Sequence, residues 1–238
     1  MTSLWKTTFP LITVTQSNIA TGKKIKFLIF YLSVGRACKQ DYKCLVKERM
    51  NSSDTKKQIL DIGENLLLDR GFNGFSYKDI SDILGIKNAS IHYHYARKSD
   101  LGTAIIVRAE RQFERWVERL EIKKMTYPQR LGEFCSLYRR FLDRGGQVCL
   151  GGTLETDFKT LPAEMQAATR TLVASMLQWL EGQLREGRNA GEFAFPGKPR
   201  HQAVVVMTCL QGILQMVRAT YSSYFDEAVD QIMLMLQA

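Results

Sequence analysis

One stretch decides the fold: Ser76-Tyr-Lys-Asp-Ile-Ser-Asp-Ile-Leu-Gly-Ile-Lys-Asn-Ala-Ser-Ile-His-Tyr-His-Tyr95. Ser76 precedes Asp79 by three residues, which is the pattern of a capped helix start, and it predicts a first helix of about two turns. Gly85 then suits a tight turn, because glycine adopts a left-handed backbone without a side-chain clash. A second short helix follows over residues 88–95. Two short helices joined by a glycine turn predict a helix-turn-helix.

The second helix of this pair carries more polar side chains than a buried helix could hold. Ile91 and Tyr95, four residues apart, supply one buried stripe. The second helix of a helix-turn-helix enters the major groove, where its side chains reach base edges and phosphates. The polar and aromatic side chains available for such contacts are Lys87, Asn88, Ser90, His92, Tyr93 and His94.

Helix signals continue on both sides of this pair. A helix capped at Ser53 or Asp54 is predicted to end before Gly71, and a long helix is predicted from a cap at Ser99 to about Glu121. The second half of the chain shows apolar spacing typical of helices and no strand pattern, so we predict an all-α fold. Its helices are expected from Pro128 to Arg144, Pro162 to Arg188, Arg200 to Thr220 and Ser223 to Leu236.

Residues 54–101 resemble the tetracycline-repressor (TetR) family. The resemblance lies in Gly71-Phe72, the cap at Ser76, the run Ile91-His-Tyr-His-Tyr95 and the Lys98-x-x-Leu101 that follows. A general helix-turn-helix would not supply both of the last two features. This sequence departs from the family pattern at His92, where Tyr is usual, at Tyr95, where Phe is usual, and at Asp100, where Glu is usual.

The resemblance implies a homodimer that binds a palindromic double-stranded DNA operator and is released by a small-molecule inducer, here of unknown identity. It implies that Ser76, Tyr77 and Lys98 hold phosphates. The DNA-facing residues carried over by position are Lys87, Asn88, Ala89, Ser90, His92, Tyr93 and His94.

The sequence divides into three regions. Residues 1–49 form a leader with nine lysines and arginines against two acids, a net +7 of the chain's +9. Two interpretations of it remain open: a start codon assigned too early, with Met50 as the natural start, or a disordered basic arm that grips phosphates. We expect the helix-turn-helix domain at 50–101 and a helical effector-binding and dimerisation domain at 102–238.

Cys149 lies in Gly145-Gly-Gln-Val-Cys-Leu-Gly-Gly-Thr-Leu154, a stretch similar to the middle of the family branch that senses quinones, aldehydes and other electrophiles. In that branch a cysteine before leucine is the reactive group. A cysteine at a helix N-terminus has its thiolate favoured by the helix dipole. The alternative is that Cys149 is a small buried residue beneath a glycine-rich bend.

The second half of the chain carries two further sets of residues. Those that could line an inducer pocket, or simply form core, are Phe113, Trp116, Phe134, Tyr138, Cys149, Met176 and Trp179. In the family the last two helices form the interface with a second subunit. Their wide apolar face here comprises Val204, Met207, Leu210, Gln211, Leu214 and Val217, then Val229, Ile232, Met233 and Leu236.

Other classes of protein fit less well. His92 and His94, two apart on a helix, point about 200° away from each other, so we expect no metal site and no cofactor. Five cysteines without CxxC spacing suit the reducing cytoplasm, and no stretch is long enough to span a membrane. Two alternatives stay open: an architectural DNA-binding protein without ligand response, and a cysteine enzyme using Cys149. The enzyme lacks an obvious histidine base.

Overall fold

The computed structural model describes residues 55–237, and the expectations for the leader lie outside them. Within this range the chain forms helices and no strand, which confirms the all-α prediction. The helices are α1 (Thr55–Arg70), α2 (Tyr77–Leu84), α3 (Asn88–His94), α4 (Lys98–Ile122), α5 (Tyr127–Asp143), α6 (Leu150–Thr156), α7 (Ala163–Asn189), α8 (Pro199–Val217) and α9 (Ser223–Gln237), with a 3₁₀ turn at Phe158–Thr160.

The ends of the two short helices follow their local sequence. The Asp79 carboxylate accepts hydrogen bonds from the backbone N–H of Ser76, at 2.8 Å, and from its hydroxyl, at 2.7 Å. Gly85 ends α2 with φ of 68°, in the left-handed region that glycine enters freely. Its N–H donates to the carbonyl of Ser81, which closes the turn. The helix-turn-helix geometry is therefore fixed largely by local sequence.

Two helix starts differ from the sequence prediction. Helix α4 begins at Lys98 rather than after a cap at Ser99, because Asp100 accepts a hydrogen bond from the N–H of Arg97 at 2.9 Å and so caps one turn earlier. Ser99 lies inside the helix and is buried. Pro162 precedes α7 instead of lying in its first turn. The short helix α6 was not predicted as a separate element.

Two clusters of buried apolar side chains form the core. One joins α1, α2 and α3 to the start of α4 and includes Leu101 and Ile105. The other lies among α4, α5, α7, α8 and α9 and includes Phe113 and Trp116. Helix α4 contributes to both clusters and packs along α1 and α7. This 25-residue helix thus links the first three helices to the rest of the protein, together with buried leucines of α6 that belong to the first cluster.

The side chain of Tyr77 fixes the end of α3. It is 8% exposed, and its hydroxyl donates to the backbone carbonyl of Tyr95 at 2.8 Å. Burial, with the nearby Asp100 and Tyr95, raises the pKa of Tyr77, so the hydroxyl remains a donor at every physiological pH.

The substitution Tyr77→Phe keeps the ring but removes this buried donor. Because a buried acceptor that loses its partner costs about 1–3 kcal/mol, we expect the free energy of unfolding to fall by that amount. Urea unfolding followed by circular dichroism measures it. Tyr93→Phe is the matched control, since Tyr93 is 85% exposed and should tolerate the loss. Equal stability of the Tyr77→Phe variant and the wild type would contradict this role.

Candidate DNA-binding surface and effector core

Helix α3 presents a continuous polar surface. Ile91 is fully buried and Tyr95 is 6% exposed, and together they hold the helix against the core. The side chains of residues 87–90 are exposed, as are those of His92 and Tyr93, while that of His94 is half-buried. The predicted residues of α3 are thus exposed or half-buried around the buried Ile91.

His92 is held in a defined orientation on this surface. Its ring packs edge-on against Tyr77, with the ring centroids 4.8 Å apart. Its Nδ1 lies 3.0 Å from the carbonyl oxygen of Ala96. A carbonyl oxygen only accepts, so Nδ1 carries the proton in this contact, and Nε2 of the neutral ring is left as an acceptor. The ring of His92, one of the three departures from the family pattern, is therefore held in place by Tyr77 and Ala96.

The loop before α2 adds exposed polar groups. Ser76 is exposed, and hydrogen bonds from its hydroxyl and N–H hold the pKa of the Asp79 carboxyl below its usual value. The carboxylate therefore keeps its charge at neutral pH and keeps the cap intact. Tyr93 and His94 contact each other edge-on, with ring centroids 5.1 Å apart.

Two residues expected to hold phosphates lie elsewhere. The Tyr77 side chain is directed inward to Tyr95, as described above. Lys98 is half-buried, and its Nζ donates to the backbone carbonyls of Phe72 and Phe75. The sequence interpretation placed both side chains toward DNA, whereas their contacts are internal.

Lys98 is enclosed by aromatic rings as well as carbonyls. Its Nζ lies 4.5 Å from the ring centroid of Phe72 and 4.2 Å from that of Phe75, both within the range of cation–π attraction. Burial lowers the pKa of Lys98, although the charges of Asp79 and Asp157 oppose that shift. The lysine therefore fixes the turn between α1 and α2.

The aromatic residues proposed as pocket lining pack against one another. The ring centroids of Trp116 and Trp179 are 4.9 Å apart, and those of Phe134 and Trp179 are 5.3 Å apart. Phe113 stacks on Trp116 at 5.5 Å, and Tyr138 lies 5.5 Å from Phe134. At these distances the rings fill the space between them, so a ligand would have to displace side chains to enter.

Cys149 caps the N-terminus of α6. Its Sγ accepts a hydrogen bond from the N–H of Gly152 at 3.4 Å, which favours the thiolate. Burial outweighs this effect and raises the pKa of the thiol to about 11. The sequence-based prediction of a reactive thiol considered only the stabilisation of the thiolate at the helix N-terminus, and not the burial that opposes it. Its alternative, a buried residue beneath a glycine-rich bend, fits the observed environment better.

The last two helices leave apolar side chains exposed, and of the predicted set only Val204 is among them. Most of the predicted set, including Leu210, Leu214 and Leu236, is already buried within the subunit. The periodicity of α8 and α9 identified apolar positions without separating the inward from the outward ones. The exposed apolar side chains are Val204 at 40%, Val205 at 38%, Met216 at 47%, Leu234 at 61% and Met235 at 40%, with Cys209 also exposed.

Comparison with known proteins finds similar transcriptional regulators. No protein-family model matches the chain. The HTH-type transcriptional repressor NemR of Escherichia coli (strain K12) is 26% identical over 156 residues, which cover 64% of this chain and 78% of NemR. A TetR-family transcriptional regulator from Agrobacterium tumefaciens has a TM-score of 0.73 at 25% identity, over 77% of this chain and 97% of that one. A TetR transcriptional regulator from Legionella pneumophila has a TM-score of 0.70 at 26% identity, over 79% and 100% of the two chains.

The chain is thus similar in sequence and in fold to TetR-family regulators. The similarity to the Agrobacterium and Legionella proteins extends over most of the described helices. None of the helices between residues 55 and 237 is long and apolar enough to cross a membrane. The same range contains no group of three histidine, cysteine or acidic side chains arranged to bind a metal.

The structure also contains a half-open pocket that the sequence did not indicate. It has a volume of about 520 Å³ and lies between α7 and the start of α8. Its lining includes Glu181 and Arg200, whose charged groups are 3.5 Å apart. Only the packing of two distant segments creates it, so no local motif could have revealed it.

Alkylation by N-ethylmaleimide tests the environment of Cys149. With a pKa of about 11, the thiolate fraction should rise about tenfold per pH unit from pH 7 to 10, and so should the alkylation rate. Peptide mass spectrometry after timed labelling measures the rate at this cysteine alone. The same protein in urea is the control, because unfolding removes the burial. A rate that levels off near pH 8 in the folded protein would show an accessible, activated thiol instead.

Proposed function

We propose that this chain is a sequence-specific, homodimeric transcriptional repressor that a small ligand releases from a palindromic operator. The observation that carries the proposal is the surface of α3, where polar and aromatic side chains are exposed around the buried anchor Ile91. A short helix held this way places its outer side chains in the major groove. The repressor NemR, similar over most of its own length, supports repression as the outcome.

The contacts to DNA divide by chemistry. Lys87, Asn88 and Ser90 begin α3 and can reach base edges or phosphates, and Tyr93 can pack against a thymine methyl group or a sugar. Ser76, exposed at the start of α2, is the candidate phosphate contact outside α3, and its hydroxyl would exchange Asp79 for a phosphate oxygen on binding. We assign DNA binding to residues 50–101, and effector binding and dimerisation to residues 102–238.

A second copy of the chain is the proposed cover for the exposed face of α8 and α9. Apolar side chains at Val204, Met216 and Leu234 would remain in water in a single subunit. A twofold dimer through this face would present two α3 helices. If these were about 34–36 Å apart, they would enter successive major grooves on one side of the duplex.

Release by a small ligand fits the core better than release by thiol modification. Cys149 is buried and its thiol pKa is raised, which disfavours attack on an electrophile. The aromatic cluster around Trp116 and Trp179 would bind a flat apolar molecule by rearranging its rings. The free Cys135, Cys149 and Cys209 suit a protein that works in the reducing cytoplasm.

Substitutions on α3 test the DNA-binding surface. We expect Lys87→Ala and Tyr93→Ala each to weaken binding to the operator upstream of the protein's own gene by roughly tenfold, the cost of one good contact. Lys87→Ala should also reduce the slope of log affinity against log salt by about one, if Lys87 neutralises one phosphate. Fluorescence anisotropy with labelled DNA measures both. Lys123→Ala, an exposed lysine at the end of α4, is the control. Unchanged affinity in both α3 variants would reject this surface.

Charge placed on the exposed apolar face tests the dimer. We expect Met216→Glu combined with Leu234→Glu to yield monomers, because two buried carboxylates per subunit would lack partners across the interface. Sedimentation velocity measures the mass. Ile122→Glu is the matched control, since Ile122 is 80% exposed but lies at the end of α4. A double variant that remains dimeric would place the interface elsewhere.

A further inference from the structure

We propose that Asp157 is a positioning residue that couples α6 to the turn between α1 and α2, and so links operator affinity to the state of the effector core. The inference rests on the proposed function and names the residue through which its two halves communicate. Asp157 follows α6 directly and is distant in sequence from the helix-turn-helix. It nonetheless contacts the backbone of that domain.

The contact is specific and close. Oδ2 of Asp157 accepts a hydrogen bond from the backbone N–H of Phe72 at 2.7 Å. Gly71 makes this approach possible, because a Cβ atom added there would lie 2.6 Å from the same oxygen. Gly71 also has φ of 75°, which side chains rarely allow. The carboxylate therefore fits a place where only glycine leaves room.

The peptide groups of Phe72 are held from both sides. Asp157 accepts from its N–H, while Lys98 donates to its carbonyl and to that of Phe75. Tyr77, the first residue of α2, comes two residues after Phe75. A movement of Asp157 is thus transmitted to the start of α2 through a short turn fixed at both ends.

Two further polar contacts lie beside this one, and in each the helix-turn-helix side supplies the N–H group. Asn73 donates from its side-chain amide to Oγ1 of Thr160 at 2.7 Å. Arg97 pairs with Glu164 at 3.8 Å. In all three contacts residues 157–164 supply the acceptor and the DNA-binding domain supplies the donor. The Thr160 hydroxyl also donates to the carbonyl of Asp157 at 2.8 Å, so these two acceptor residues are joined to each other.

Helix α6 connects these acceptor residues to the effector core. Cys149, its N-terminal cap, belongs to the aromatic cluster, whereas Leu150 and Leu154 are buried in the cluster of the DNA-binding helices. The helix has little room to deform at its start, because a Cβ atom added at Gly152 would lie 2.9 Å from the side chain of Val148. Rearrangement of the aromatic core would therefore displace α6 and, with it, Asp157.

The energetic consequence follows from linkage. If the effector core and the helix-turn-helix are coupled through Asp157, operator binding must stabilise α6 by the same factor by which α6 stabilises operator binding. This reciprocal effect can be measured without knowing the inducer. Without the carboxylate, the N–H of Phe72 loses its partner and the coupling between the two parts should weaken, although the contacts of Asn73 and Arg97 remain.

Hydrogen–deuterium exchange of the full-length dimer, with and without saturating operator DNA, tests the coupling. In the wild type, DNA should slow exchange both in peptides of α3 and in the peptide 148–161, the latter by at least about fivefold, the lower end of usual coupling. In Asp157→Ala, α3 should remain protected while the effect on 148–161 falls below about twofold. Asp157→Asn, whose amide oxygen can still accept from the N–H of Phe72, should restore most of the DNA-induced protection of 148–161.

Asp143→Ala removes an exposed carboxylate of α5 and is the matched control, with thermal unfolding to confirm that each variant is folded. Equal protection of 148–161 in the wild type and Asp157→Ala would overturn the inference. So would a wild type in which DNA protects α3 but leaves 148–161 unchanged. A folded Asp157→Ala variant that no longer protects α3 would make Asp157 part of the DNA-binding fold itself, which also overturns it. Failure of the proposed function is distinct, because the wild-type α3 would then show no protection.

Discussion

The exposed position of α3 depends on two buried contacts, one in the middle of the helix and one at its C-terminal end. A helix of seven residues is too short to be stable in water by itself, so its conformation is maintained by the core beneath it. Ile91 supplies the apolar anchor, and the Tyr77 hydroxyl binds the carbonyl at the end of the helix. Because these groups secure one side, the opposite side is free to carry polar residues. The exposed polar surface of α3 therefore depends on the packing of its buried side against the core.

For binding to DNA, the position of each charged side chain matters more in this protein than the net charge of the domain. Residues 50–101 carry seven basic and seven acidic side chains, so their formal charge is zero, and most of the chain's +9 lies in the leader. Several acids of this segment are engaged in structure: Asp79 caps α2, Asp100 caps α4, and Asp61 pairs with Arg108. A domain without net charge can thus present exposed polar side chains to DNA.

The sequence predicted the elements of this fold well wherever the determinants were local. Ser76 with Asp79, Gly71 and Gly85 mark helix ends through interactions with near neighbours, and each end lies where it was predicted. Ile91 and Tyr95 are buried as their spacing predicted, while the other predicted residues of α3 are exposed or half-buried.

Predictions that depended on distant segments were less accurate. Lys98 and Tyr77 were expected to face DNA, yet their partners are backbone carbonyls from other parts of the chain. Helical periodicity could not separate buried Leu210 from exposed Met216, since both belong to an apolar helix. For Cys149 the balance between helix polarity and burial decides the thiol pKa, and burial is a property of the folded chain. The contact between Asp157 and Phe72 has no sequence signal at all.

The central claim is that two copies of α3, related by a twofold axis, read one operator. Hydroxyl-radical footprinting of the full-length protein on the DNA upstream of its own gene tests it most directly. The account predicts two symmetric protected patches on one face of the duplex, about one helical turn apart, within a palindromic sequence. Protection without symmetry along the fragment, or no protection at protein concentrations that saturate non-specific sites, would contradict it.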